Sequence, residues 1–210
     1  MDQPTGVLLL AKSGGFVPQF ELQNVRLLKE MGYRIFYAAD FSRPVYGMRQ
    51  EELDALGVTR ISIEVSGSPL AVCFHPRAVK KLKDLVEREH ITAVHCHTPV
   101  GGFLGRMLGK SFGRKLKVIY TAHGFHFYQG APIVNWLFYP AEVLMARYTD
   151  ALITINREDF RRAKKFHLRP GGRVYRIPGV GICKERLKAD EGAGERWRQQ
   201  HGIPQKAFHL

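Results

Sequence analysis

Apolar residues along this chain fall into two rhythms that alternate from start to finish. Short runs rich in apolar and β-branched residues at 6–11, 33–39, 91–96, 116–122, 151–155 and 173–177 have the length and composition of buried strands. A seventh run, 58–65, sets Val58, Arg60, Ser62 and Glu64 against Ile61, Ile63 and Val65, the two-residue alternation of a strand near a sheet edge. Between the strands the period lengthens to that of helices. Leu22, Val25, Leu28 and Met31 share one face of a helix with Pro18 near its start and Gly32 at its end. Further helices are predicted over 48–56, over 76–89 with Val79, Leu82 and Val86 inward, and over 100–108. The last two cover 133–148, kinked by Pro140, and 157–167, capped by Asn156.

Strands alternating with helices in this way predict an α/β fold, Rossmann-like and doubly wound, with a mainly parallel sheet flanked by helices. The chain is organised around the strand at 116–122, which runs into His123 and Gly124. In an open α/β sheet, ligands bind at the carboxyl ends of the strands, so His123 is expected at the edge where chemistry takes place.

Composition narrows the class. The 210 residues are 45% hydrophobic and 24% charged, an ordinary globular balance, but the formal net charge of +13 favours anionic partners such as nucleotide phosphates or lipid headgroups. Nucleic acid ranks last, because the basic stripe Arg157, Arg161, Lys164, Lys165 and Arg169 lacks the interleaved aromatics of a stacking platform. Cys73, Cys96 and Cys183 form no CxxC pair, so neither a disulfide framework nor a zinc ribbon is indicated. With no basic leader followed by a cleavable apolar segment, the expected location is cytoplasmic, with peripheral contact at the inner face of the membrane allowed by the charge.

The candidate chemistry gathers at strand ends. Gly14 and Gly15 after the first strand permit backbone amides to approach a phosphate, although neither a GxGxxG nor a P-loop is present. Asp40 ends the second strand, where a dinucleotide fold places its ribose carboxylate, but without that fingerprint the assignment fails. His95 and His97 point to one face, and His123 and His126 end the neighbouring strand. With no carboxylate at ligand spacing and Cys96 facing the other way, no metal or other cofactor is expected, and hydrogen bonding to sugar hydroxyls or phosphate oxygens is the favoured use. No nucleophile elbow is present, and Glu158 and Asp159 open a helix, where acids usually complement the dipole.

Three blocks together carry a resemblance. Thr121-Ala122-His123-Gly124-Phe125-His126-Phe127-Tyr128 with Gly130-Ala131-Pro132 and Asn135-Trp136, then 148–159, then Ile177-Pro178-Gly179-Val180-Gly181-Ile182, resemble the N-terminal domain of family-4 bacterial glycosyltransferases of capsular and exopolysaccharide assembly. The resemblance implies one half of a GT-B fold, spanning 1–182, with 183–210 as a linker helix near 195–202 and the start of a donor-binding domain missing from this chain. It implies transfer of a sugar from a nucleotide-sugar to a saccharide or lipid-linked saccharide acceptor, with retention and without a required metal, in cell-surface polysaccharide biosynthesis. His123 matches the histidine that touches the donor sugar. Ser13, Gly14 and Gly15 match the loop that approaches the pyrophosphate, and His97, Thr98, Gly124 and His126 match cleft-edge positions, with Glu158 a weaker match. The expected partners are the nucleotide-sugar, the acceptor and an anionic membrane surface, with no specific nucleic acid. Two alternatives stay open: a non-catalytic acceptor-binding module or subunit, and half of a nucleotide-sugar epimerase.

Overall fold

The computed structural model describes residues 5–42, 45–65, 76–181 and 192–204. Cys73, Cys183, Ile182 and the loop expected over 66–74 lie outside the described residues. Seven strands, β1 (Gly6–Ser13), β2 (Arg34–Asp40), β3 (Thr59–Ser62), β4 (Ile91–His97), β5 (Lys117–Ala122), β6 (Ala151–Thr154) and β7 (Arg173–Arg176), form one sheet in the order β3-β2-β1-β4-β5-β6-β7. Every adjacent pair is parallel. The order runs outward from β1 in one direction and from β4 in the other, so the topological switch point lies between them. The predicted fold class holds, and β3, the strand read as alternating, is at the edge.

Helices α1 (Phe16–Phe20), α2 (Leu22–Glu30), α3 (Gln50–Ala55), α4 (Pro76–Arg88), α5 (Thr98–Phe112), α6 (Phe138–Ala146) and α7 (Arg157–Ala163) accompany the sheet. They enclose two apolar clusters. Leu8, Leu10, Val94 and Tyr120 point toward α5, whereas Val7, Leu9, Ile35 and Tyr37 pack with Val17, Leu22 and Val25. This is the alternation of a strand buried on both faces. Helix α5 approaches the sheet closely because a Cβ on Gly101 or Gly102 would lie 2.7 Å from the Leu10 carbonyl or 2.4 Å from the Tyr120 ring.

Three predicted elements are corrected. The helix expected over 133–148 is a 3-10 turn at Ile133–Leu137 followed by α6, so Pro140 occupies the first helical turn, where its missing N–H costs nothing, and does not kink the helix. The helix after the glycine pair is two helices broken at Glu21, with Met31 exposed. Arg169, read as part of a surface stripe, is buried and donates to the Leu116 and Gly109 carbonyls and to Asp150, pinning the β7 approach to the sheet.

The chain divides into a unit ending at Val180 and a second beginning at Gly181, in which α8 (Ala193–Gln200) is the described helix.

Candidate functional site

Three strand ends meet at the switch point. The chain leaves β1 through Ser13-Gly14-Gly15, leaves β4 at His97-Thr98 and leaves β5 at His123-Gly124. The Lys12 amide donates to Thr98 Oγ1 at 3.3 Å, so the β1 and β4 exits touch directly. The Phe16 ring, which follows the glycines, stands 5.0 Å from the His123 ring and 5.3 Å from that of His97. Phe20 and Tyr46 extend this aromatic wall, each within 6.4 Å of a neighbouring ring.

Two of the loop's expected roles change in the structure. The Gly14 N–H is already donated to the Asp40 carbonyl at 2.8 Å, and Ser13 Oγ accepts from the Val45 amide at 3.0 Å. A Cβ on Gly15 would lie 2.3 Å from the Tyr46 carbonyl oxygen. These positions therefore seat the 45–48 segment over the end of β1, and the Gly14 amide is not open to a phosphate. Gly124, by contrast, is exposed with φ +137, a conformation side-chain-bearing residues rarely adopt, and it turns the chain sharply after His123.

The histidines form a contiguous group. His97 Nδ1 lies 3.3 Å from His123 Nε2, and the His95 and His97 rings are 4.1 Å apart. His95 Nε2 contacts Thr121 Oγ1 at 2.8 Å. Burial disfavours the charged form of all three. His95 is pushed down to about 4 by burial and then by His123, His97 falls well below the usual range, and half-buried His123 is lowered too. At neutral pH the group consists of uncharged imidazoles, but His97 is fully buried, which corrects its expected place at the cleft edge and leaves half-buried His123 as the ring open to a sugar hydroxyl.

Glu21, which sequence reading missed, belongs to this group. It sits at the break between α1 and α2, is 3% exposed, and places Oε1 3.5 Å from His97 Nδ1. Because His97 is neutral, this contact is not an ion pair. Burial pushes the Glu21 carboxyl up to about 7, opposed by a hydrogen bond from Asn24 Nδ2 to Oε2 at 2.5 Å. The expectation that no carboxylate reaches the histidines is thereby corrected: the ligand-bearing atoms of Glu21, His97 and His123 all lie within 4.8 Å of one another. Glu21 and His95 also line a cleft of about 300 Å³ with Phe20, Asn24 and Thr121.

The remaining candidates lie outside the group. His126 is exposed and packs edge-on against Phe138 at 5.1 Å, lining a different, largely apolar pocket with Phe103 and Arg106. Glu158 Oε1 accepts from the Gln129 amide at 2.7 Å and pairs with Arg162 at 2.8 Å, contacts that hold its carboxyl below the usual range. Its neighbour Asp159 is buried and accepts from the Phe125 amide at 3.0 Å. Both acids thus clamp the loop that follows His123 onto α7.

A family model for the glycosyl transferase 4-like domain matches residues 20–179, most of the first unit and of the chain. The chain belongs to this glycosyl transferase 4-like family. A Bacillus subtilis (strain 168) relative named "Putative glycosyltransferase EpsD" is 39% identical over 197 residues, covering 91% of this chain and 48% of the relative. The chain thus spans about half the length of the curated relative it matches. Among solved structures, S. aureus MnaA with UDP has a TM-score of 0.64 at 8% identity, covering 94% of this chain and 51% of that one. The sucrose-phosphate synthase of Thermosynechococcus elongatus gives 0.58 at 14%, covering 95% and 53%. At such identities these structures establish the fold: the glycosyl transferase 4-like chain has the Rossmann-like architecture found in about half of each GT-B neighbour.

Proposed function

We propose that this chain is the acceptor-side domain of a retaining glycosyltransferase of cell-surface polysaccharide biosynthesis, taking a nucleotide-sugar donor and a saccharide or lipid-linked saccharide acceptor. The observation that carries the reading is the placement of His123: half-buried, uncharged and at the strand edge beside the switch point, against the loop leaving β1. Its Nε2 faces His97, which leaves Nδ1 to donate a hydrogen bond to a sugar hydroxyl. In the transfer, the bond from the anomeric carbon to the diphosphate breaks and a bond to the acceptor oxygen forms on the same face. The departing phosphate takes the acceptor's proton, so no protein base is required. Thr98 and Gly124 supply the neighbouring edge, with the fully buried His97 backing the His123 ring from behind, and the chain contributes position and neutral hydrogen-bonding groups.

Assayed together with a donor-binding domain, a radiolabelled uridine diphosphate sugar and a lipid-linked saccharide are expected to yield labelled glycolipid. The His123→Ala variant is expected to lower transfer about tenfold or more, the cost of one well-placed hydrogen bond. Saccharide binding without transfer supports the non-catalytic module, and epimerised donor in the absence of acceptor supports the epimerase.

We also infer contact with an anionic membrane surface. Ile133, Val134, Leu137 and Leu144 are exposed, Ile133 at 89%, on a chain of net charge +13. No helix among the described residues is long and apolar enough to cross a membrane. Replacing Ile133 and Val134 together by aspartate is expected to abolish co-sedimentation with vesicles containing phosphatidylglycerol, through lost apolar burial and added repulsion. Unchanged sedimentation would rule this surface out.

A further inference from the structure

We propose that Glu21, His97 and His123 form a binding site for one divalent cation of zinc's class, placed where the α1–α2 junction meets the ends of β4 and β5. The cation is asked to hold these elements together, not to take part in transfer; the site shares His123 with the sugar-transfer reading but takes its Nε2 and leaves Nδ1 free, and metal uptake is read without any transfer assay.

The donor set is that of a borderline metal, two imidazole nitrogens and one carboxylate oxygen drawn from three separate parts of the fold. Their spacing fits as well. His97 Nδ1 lies 3.3 Å from His123 Nε2 and 3.5 Å from Glu21 Oε1. A tetrahedral ion with bonds of about 2.0–2.1 Å sets its ligand atoms roughly 3.3 Å apart. The remaining pair lies within 4.8 Å and closes by rotation of the Glu21 carboxylate about its side-chain bonds.

Hydrogen bonding alone satisfies this arrangement only through one long contact shared between two acceptors. One nitrogen of a neutral imidazole offers either one proton or one lone pair, yet His97 Nδ1 faces two polar atoms. A cation accepts all three lone pairs at once, with a water as the fourth ligand of a tetrahedral site. The carboxylate is also oriented from behind, since Asn24 donates to Oε2 and so leaves Oε1 directed at the histidines. Ligation through Nδ1 moves the His97 proton to Nε2, which is buried without a partner, so the expected binding is modest, with saturation at micromolar metal. Binding His123 through Nε2 would fix its proton on Nδ1.

The test uses the chain as it is, stripped with a chelator and titrated with cobalt(II), whose visible absorption reports four-coordinate geometry. The expected result is uptake of one equivalent with intense d–d bands, displaced by zinc. The bands are lost in His123→Ala, weakened in Glu21→Gln and unchanged in His167→Ala, which alters an exposed histidine remote in sequence from the cluster. Zinc is expected to raise the melting temperature of the parent but not of His123→Ala, whose metal-free melting curve and circular dichroism check that it folds. Absence of the bands, or bands that keep the parent's intensity in His123→Ala and Glu21→Gln, would overturn the site; the latter result would mean that exposed histidines bind the metal.

Discussion

Glu142→Ala is expected to destabilise the protein by about 3–5 kcal/mol, a large share of the roughly 5–15 kcal/mol that holds a domain folded. Arg106 on α5 and Glu142 on α6 form a two-pronged pair at 2.6 and 3.2 Å, and both are buried, at 2% and 9% exposure. The guanidinium lies 4.3 Å over the Tyr120 ring and donates from Nε to the Gly102 carbonyl at 2.8 Å. Burial alone would lower the Arg106 pKa, but the facing carboxylate more than offsets it and the group stays charged. Removing Glu142 strands that charge in a low-dielectric interior. Replacing both partners by methionine removes the charge with its counter-ion and is expected to cost far less than the single change. Urea unfolding of the three variants measures the difference. A double variant as unstable as Glu142→Ala would contradict this account of the pair.

Glu21→Gln, in metal-free protein, is expected to stabilise the chain at pH 8 by an amount on the order of 3 kcal/mol and to flatten its stability profile between about pH 4.5 and 7. The folded-state pKa of Glu21 is raised from 4.5 to about 7, chiefly by burial. As pH rises through that window the unfolded chain releases this proton while the folded chain keeps it. The native state then binds more protons than the unfolded state, so stability falls with rising pH and levels off above about 7. Glutamine remains neutral throughout and can still accept from Asn24. The difference between the two unfolding curves across pH isolates this one group from the others that titrate. Parallel profiles would show that Glu21 is not held protonated.

The strands β1 and β2 were readable from sequence because they are buried on both faces, so nearly every residue of 6–10 or 35–39 had to be apolar. The position of His123 followed from the same logic, since a buried run that stops at a histidine and a glycine marks a strand end. Glu21 was not readable. A lone glutamate amid helical periodicity has the pattern of a solvated position, but it falls at a break between two short helices that turns it inward against His97. Arg169 was misjudged for a related reason. Charge in a helical stripe shows nothing of carbonyls supplied from distant parts of the chain, and those contacts hold Arg169 to structural work. Likewise the glycines after β1 look ready to receive phosphate until the 45–48 segment, which sequence does not place, is seen to cover them.

The most direct measurement is nitrogen-15 NMR of the imidazoles in this chain during titration with UDP-N-acetylglucosamine and, separately, with a short-chain lipid-diphosphate saccharide. Saccharide or nucleotide-sugar bound at the carboxyl edge of the sheet should move the His123 ring nitrogens and the Gly124 amide in a saturable way, leaving His167 and His201 unshifted. Saturable shifts confined to those outlying histidines, or none at His123 with either ligand at millimolar concentration, would contradict the placement of the sugar site.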